Sequence, residues 1–178
     1  GHITGELRAF SRKAGASVGP TSLKEALDGA LLLVGPRARR QGVVLQRPPT
    51  EPDYRVQANR IRLEQVLVNL LQNGMDALEG QADGRIIIAM QDMGASVQLF
   101  VNDNGPGLSP EASARLFTPF HTTKAEGLGL GLVISRDIIA EFGGDLRAAH
   151  PGDAIFPAPH GPGRGAMFTL TLRKSPPT

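Results

Sequence analysis

Apolar residues recur at spacings of four, three and four in the first segment, where Ile3, Leu7, Phe10 and Ala14 form the seam of a bundle helix. "GASVGP" breaks it. Thr21 or Ser22 then caps a second helix, predicted to run to about Val34 before "GPRARRQG" ends it. "VVLQ" at 43–46 and "YRVQ" at 54–57 are short strand-like runs around the turn "RPPTEPD". From Asn59, a cap, a long helix is predicted through Leu78. Leu63, Val66, Leu67, Leu70, Leu71 and Leu78 fill one side of it. At about 100° per residue, Arg62, Gln65, Asn69, Gln72, Asn73 and Asp76 share an arc roughly 100° wide on the other. "RIIIAMQ" at 85–91 and "SVQLFVND" at 96–103 predict an antiparallel hairpin around "DMGA". Residues 104–128 read as loop with one short helix near "PEASARLF". A helix from about Leu130 to Phe142 stops at Gly143-Gly144, "DLRAAH" is a strand, "PGDAIFPAPHGPG" a Pro/Gly-rich excursion and "GAMFTLTLRK" a closing strand.

Composition narrows the classes. At 178 residues and 40% hydrophobic content, the chain suits one domain with a real core. The longest apolar runs, such as "ALLLV" at 30–34, fall far short of the roughly 18 residues that suggest a membrane span. The absence of cysteine excludes a disulfide framework and a thiolate metal site. With a net charge of +2, no basic run beyond "RARR" at 37–40 and 4% aromatics, nucleic acid is not an expected partner.

The polar arc of the 59–78 helix is unusual for a solvent face, because it is rich in amides rather than Glu and Lys. Amide oxygens suit Mg²⁺, a hard cation that keeps several waters and is completed by substrate phosphates. In "VNDNGPGLS", Asp103 ends a strand ahead of Gly105 and Gly107. Glycines let backbone approach a planar ligand, and a carboxylate accepts from an exocyclic amine. "LFTPFHTTK" at 116–124 adds two phenylalanines, two hydroxyls and a lysine. "GLGLGL" at 127–132 places three glycines at the head of a helix despite a cost of about 1 kcal/mol each relative to alanine. A Gly-rich turn opening onto a helix offers unpaired N–H groups and a positive dipole end, which favours phosphate. It is neither a P-loop nor a dinucleotide fingerprint.

In order and spacing, "NLLQNGMDA" (69–77), "DNGPG" (103–107), "LFTPF" (116–120), "GLGLGL" (127–132) and "GRGAMFTLTL" (163–172) resemble the N, G1, F, G2 and G3 boxes of bacterial sensor histidine kinases, members of the GHKL ATP-binding superfamily. The wording around Asn73 and "TPFHTTK" is most similar to kinases that sense C4-dicarboxylates or nitrogen status. The resemblance implies ATP and Mg²⁺, with Asn73 as metal ligand, Asn69 its partner one turn earlier and Asp103 reading the adenine amino group. Asn69, Asn73 and Lys124 are the catalytic candidates. Gly105 and Gly107 match the G1 turn, and Phe117 and Phe120 flank an ATP lid in which Thr122, Thr123 and Lys124 approach the phosphates. Gly127, Leu128, Gly129, Leu130 and Gly131 match the phosphate loop, Gly165 matches G3 and Thr169 is expected to line the adenine pocket.

Four departures stand out. Asn59 replaces a common Asp and should still cap, Gly74 replaces an alanine and is expected to loosen its turn, Asp76 replaces a lysine that contacts phosphate, and the 151–162 excursion is long. In gyrase and mismatch-repair relatives a Glu four residues before the Mg²⁺ asparagine activates water. Here that position is Asn69, and Glu64 lies about 140° away on the wheel. Transfer to an imidazole needs less help than hydrolysis. None of His2, His121, His150 and His160 has an acidic H-box context, so the acceptor is expected elsewhere.

The fold implied is a GHKL/Bergerat-type two-layer α/β sandwich, a mixed sheet of about five strands covered on one face by three helices. Residues 1–16 are expected to be the end of a dimerization and phosphoacceptor helix, 17–174 the catalytic ATP-binding domain and 175–178 a tail. The implied partners are that dimerization domain and a response-regulator receiver domain. The full-length protein is expected to be a homodimer anchored in the bacterial inner membrane, with this domain in the cytoplasm. The alternatives are an ATPase of the same superfamily and a degenerate module that binds partners without nucleotide.

Overall fold

The computed structural model describes residues 17–107, 131–149 and 165–176. The predicted helix before Ala14 and the 151–162 excursion lie outside these residues. The first element among the described residues is a strand where a loop was expected: β1 (Gly19–Ser22) pairs antiparallel with β3 (Arg55–Ala58), Gly19 opposite Ala58. The hydroxyl of Thr21 donates to the Ala58 carbonyl at 2.9 Å, so the Gly/Pro-rich stretch gains its partner from 37 residues away.

Ser22 ends β1 and caps α1 (Leu23–Gln41), its Oγ accepting from Glu25 N–H at 3.1 Å and donating to Asp53 at 2.7 Å. The helix continues past the predicted stop through Gly35 and Pro36 to Gly42, a left-handed cap at φ 77°. Proline removes a hydrogen bond to Leu32, but both residues are exposed, so water can satisfy that carbonyl. On the opposite side, buried Val34 and Ala38 extend the apolar stripe across the proline.

β2 (Val44–Gln46) follows, and after β3 the Asn59 side chain caps α2 (Arg60–Ala77), accepting from Arg62 N–H at 3.1 Å. Each apolar residue predicted for the inner side of α2, Leu78 at its C-cap included, is at most 1% exposed. β4 (Arg85–Asp92) and β5 (Ser96–Asp103) form the predicted hairpin. α3 (Gly131–Glu141), β6 (Asp145–Ala149) and β7 (Met167–Arg173) complete the described elements. α3 stops at Gly143, φ 79°, where the Gly144 N–H reaches back to the Ile139 carbonyl at 2.9 Å.

The larger sheet has the order β2-β4-β5-β7-β6, with β2 parallel to β4 and every other pair antiparallel. Period-two alternation sends Ile86, Ile88, Val97, Leu99, Val101, Phe168, Leu170 and Leu172 into one core with the three helices. Phe100 and Met167 point to the other face. Asp103 stands opposite Ile86 in register, so its side chain emerges on the helical face at the end of β5. The β1–β3 ribbon joins this body through a bridge between Val56 and Lys174, just beyond β7.

Candidate functional site

Three backbone segments meet at the end of β5. Asp103 is 4% exposed, and its Oδ1 accepts from Gly105 N–H at 2.8 Å and from Ala166 N–H at 3.4 Å. The Asp103 N–H donates to the Ala166 carbonyl at 3.1 Å, which also accepts from the Asn102 amide at 2.9 Å. The glycines explain how the segments come so close. A Cβ on Gly105 would lie 2.9 Å from the Asp103 carboxylate and 3.1 Å from the Ala77 carbonyl at the end of α2. Gly107, φ 82°, packs on the Gly165 carbonyl, and a Cβ on Gly165, φ 73°, would fall on the Asp103 carbonyl oxygen. These glycines thus fit backbone against backbone around one buried carboxylate.

The polar arc of α2 runs alongside. Gly74 is buried against Ile86, and a Cβ there would lie 2.8 Å from Ile86 Cδ1 and 3.9 Å from Asp103 Cβ. The expected loosening at Gly74 is absent, because α2 continues unbroken through it and the missing methyl makes room for the sheet. Half-buried Asn73 precedes it on the same turn as this approach to Asp103. One turn earlier, the Asn69 amide donates to the hydroxyl of Ser135 on α3 at 3.1 Å. Gly131, the first residue of α3, sits over the same amide, so a Cβ there would lie 2.6 Å from Asn69 Oδ1. Arg62 and Glu141 add an ion pair between the two helices.

The last glycine of "GLGLGL" therefore has a packing reason as well as the expected one. Replacing Gly131 by Ala should lower the unfolding midpoint by roughly 2–12 °C, taking about 1–3 kcal/mol for an overpacked contact. In an open helix the same change stabilises by up to about 1 kcal/mol. Thermal denaturation of Gly131→Ala with and without Asn69→Ala checks this, since removing the amide should recover part of the loss. An unchanged or raised midpoint for the single variant would rule the contact out.

Asn69, Asn73, Asp103, Gly105, Gly107, Gly131 and Gly165 are thus distributed along one edge of the helical layer. Thr169 is not among them. It pairs with Phe100 and Arg147 and alternates with core residues Phe168 and Leu170, so it faces away from the helices, and the expectation that it lines the pocket is corrected. Phe117, Phe120, Thr122, Thr123, Lys124, Gly127, Leu128, Gly129 and Leu130 lie outside the described residues, as do the four histidines. Asp76 accepts from Arg37 of α1 at 2.7 Å. Glu64 turns toward α1, where its carboxylate occupies the space above Gly29. Sequence reasoning missed Ser135 and Arg37. A serine on the apolar side of α3, among Leu132, Ile138 and Ile139, was the available signal for the first; the "RARR" run hid the second.

Among the described residues no group of three or more His, Cys, Asp and Glu is arranged to hold a metal. Apart from Asp76, which Arg37 engages, the oxygen donors on the arc are amides, which suits a cation carried in largely by a phosphate ligand. The buried carboxylate at one end and a helix N-terminus lacking a Cβ at the other fit a nucleotide's amine and phosphate ends.

Residues 58–176 match the family of histidine kinase-, DNA gyrase B-, and HSP90-like ATPases. The chain is 41% identical over 177 residues to the C4-dicarboxylate transport sensor protein DctB of Rhizobium meliloti (strain 1021), covering 98% of this chain and 26% of that protein. It is 32% identical to the sensor histidine kinase ZraS of Klebsiella oxytoca, covering 96% of this chain and 34% of the relative. It therefore spans about a quarter to a third of the length of these curated relatives. Among solved structures, the nucleotide-free catalytic domain of histidine kinase ThkA superposes with a TM-score of 0.74 at 30% identity, over 89% of this chain and 97% of that one. The complex of ThkA with the response regulator protein TrrA gives 0.69 at 28% identity, over 98% of this chain and 47% of the other. The chain therefore belongs to this ATPase family, and its helix-covered mixed sheet is that of a histidine kinase catalytic domain.

Proposed function

We propose that this domain binds Mg·ATP along the edge between α2 and α3 and transfers the γ-phosphate to a histidine on its own dimerization domain, for relay to an aspartate of a response-regulator receiver domain. The observation that carries the reading is the placement of Asp103 beside the C-terminal end of α2 and of Asn69 at the middle of that helix, against α3. From Asn69 to Ala77 is about 12 Å along the axis, on the scale of an extended nucleoside triphosphate. Asp103 accepts from the adenine amino group, and its hold on the Gly105 and Ala166 N–H groups keeps the carboxylate fixed for that task. Asn73 ligates Mg²⁺, and Asn69, held by Ser135, borders the phosphates at the N-terminus of α3. The metal's role when bound is to screen the phosphate charge. Phe117 and Phe120 flank the lid, with Thr122, Thr123 and Lys124 near the γ-phosphate; Gly127 to Gly131 wrap the phosphates.

No carboxylate stands where a hydrolytic base is needed, since that position is Asn69 and Glu64 is turned to α1. This favours transfer to an imidazole over hydrolysis. Residues 1–16 belong to the dimerization helix and 17–174 form the catalytic domain; of the expected tail at 175–178, Ser175 is tied to β3, its N–H donating to the Arg55 carbonyl at 2.9 Å. The relatives are longer sensors, and no helix among the described residues is long and apolar enough to cross a membrane. On this reading the domain is the cytoplasmic part of a homodimeric, inner-membrane sensor. The complex of ThkA with TrrA supports a receiver domain as the downstream partner.

The test is incubation with γ-labelled ATP and Mg²⁺, with and without the separately produced upstream dimerization region. Acid-labile, base-stable label on that region, transferable to a receiver domain, is the expected result. Steady phosphate release without the acceptor, and no label on it, would replace this reading with the ATPase.

A further inference from the structure

We infer that Ser135 of α3 is a positioning residue for the metal-bound form of the nucleotide: by accepting from the Asn69 amide N–H, it turns the amide oxygen toward the start of α3, so that Asn69 serves hydrated Mg²⁺ rather than bare phosphate. The inference rests on the reading of Asn69 and Asn73 as the metal and phosphate edge, and adds which amide atom faces that edge and what holds it there. Gly131 and Ser135 stand one helical turn apart on one face of α3. The Asn69 side chain lies across both. Its Nδ2 donates to the Ser135 hydroxyl at 3.1 Å, and a Cβ on Gly131 would lie 2.6 Å from its Oδ1 and 3.2 Å from its Nδ2. The oxygen is therefore the amide atom nearest the first residue of α3, and the nitrogen points one turn further in.

The two ends of an amide do opposite things at a nucleotide site. The oxygen ligates a hard cation or accepts from its bound water, whereas the N–H groups donate to phosphate oxygens. Both neighbours of Asn69 favour the observed direction. Turned over, the amide would set its N–H donors against the positive end of α3, where a helix's own first N–H groups need acceptors. Ser135 is 3% exposed, so water does not compete for its hydroxyl. Ile138 and Ile139 on the same side of α3 are buried and apolar, and a methyl at 135 would offer the amide no acceptor. Asn69 is half-buried, so an amide released from Ser135 can turn over toward solvent. Arg62 and Glu141 join the same two helices about two turns away along α2, so the packing of α3 on α2 does not hang on Ser135 alone.

The experiment is a calorimetric titration of the 178-residue chain with ATP, once with Mg²⁺ and once in EDTA. Wild type, S135A, S135T, N69A, the S135A/N69A pair, R62Q and D103N are compared, each with its thermal midpoint. S135A is expected to bind Mg·ATP about 2- to 10-fold more weakly, the worth of one hydrogen bond. It should bind metal-free ATP at least as tightly as wild type, because a freed amide can offer N–H to phosphate. S135T should recover most of the Mg²⁺-dependent gain, S135A should cost nothing further in N69A, and R62Q should keep the wild-type ratio of the two affinities. Where the extra methyl of threonine lowers the midpoint, the double-variant comparison decides. An equal loss in S135A with and without Mg²⁺ is the mark of a brace and overturns the inference. So does S135A binding Mg·ATP like wild type, a further loss in the double variant, R62Q lowering the ratio as S135A does, or a wild-type affinity that Mg²⁺ leaves unchanged. A wild-type chain that binds no ATP, or a D103N variant that binds normally, overturns the nucleotide reading and this inference with it.

Discussion

Replacing Asp103 by Asn is expected to weaken ATP binding about 10- to 100-fold, because a hydrogen bond to a charged group in a desolvated site contributes about 1.5–3 kcal/mol. The amide keeps an oxygen for the Gly105 and Ala166 N–H groups, which now converge on Oδ1. The variant should therefore stay folded. Asp103→Ala removes that acceptor as well and leaves buried donors unsatisfied, so it should lose affinity and also about 1–3 kcal/mol of stability. Paired calorimetry and thermal denaturation separate the two effects. Undiminished affinity in Asp103→Asn would remove the carboxylate from the adenine site.

The second large effect is expected at Gly165. Its φ of 73° is costly for any residue with a Cβ, by about 1–2 kcal/mol, and here the added atom would also fall on the Asp103 carbonyl oxygen. Relieving that overlap means moving the approach to β7 away from β5, at the expense of the 3.1 Å bond from Asp103 N–H to Ala166. Together these should cost about 3–5 kcal/mol and lower the unfolding midpoint of Gly165→Ala by roughly 6–20 °C, with ATP binding lost alongside. Gly94 is the control, since its φ is 92° and an added Cβ meets nothing within 4 Å. Gly94→Ala should show the backbone cost alone. Equal midpoints for the two variants would refute the close approach at Gly165.

The sequence was most legible where an element carries its own pattern. α2 announced its cap, its apolar stripe and its amide arc because all three repeat along one helix, and β4 and β5 are joined by a short turn. β1 was missed because its partner is supplied from β3, beyond α1, and nothing in "GASVGP" favours a strand on its own. α1 overran its expected end because a proline was read as a stop. The burial of Val34 and Ala38 on the far side, which lets the helix continue, is a tertiary fact. Asp103 and its glycines were readable as a candidate site, whereas Ser135 and Arg37 act through neighbours on other helices. Thr169 was the reverse case, because counting alternate positions from Phe168 would have placed it on the other face.

The sheet order also sets when the site can exist. β7 is the last strand in the chain, yet it sits between β5 and β6 and brings Ala166 to Asp103. β6 has no other strand partner among the described residues, and the β1–β3 ribbon is bridged to Lys174. Such distant pairings carry a loop-closure cost that is recovered only once β7 is present. During synthesis the site therefore waits for β7, which follows α2 and the β4–β5 hairpin in the chain. A nascent chain has no complete pocket before β7 has emerged.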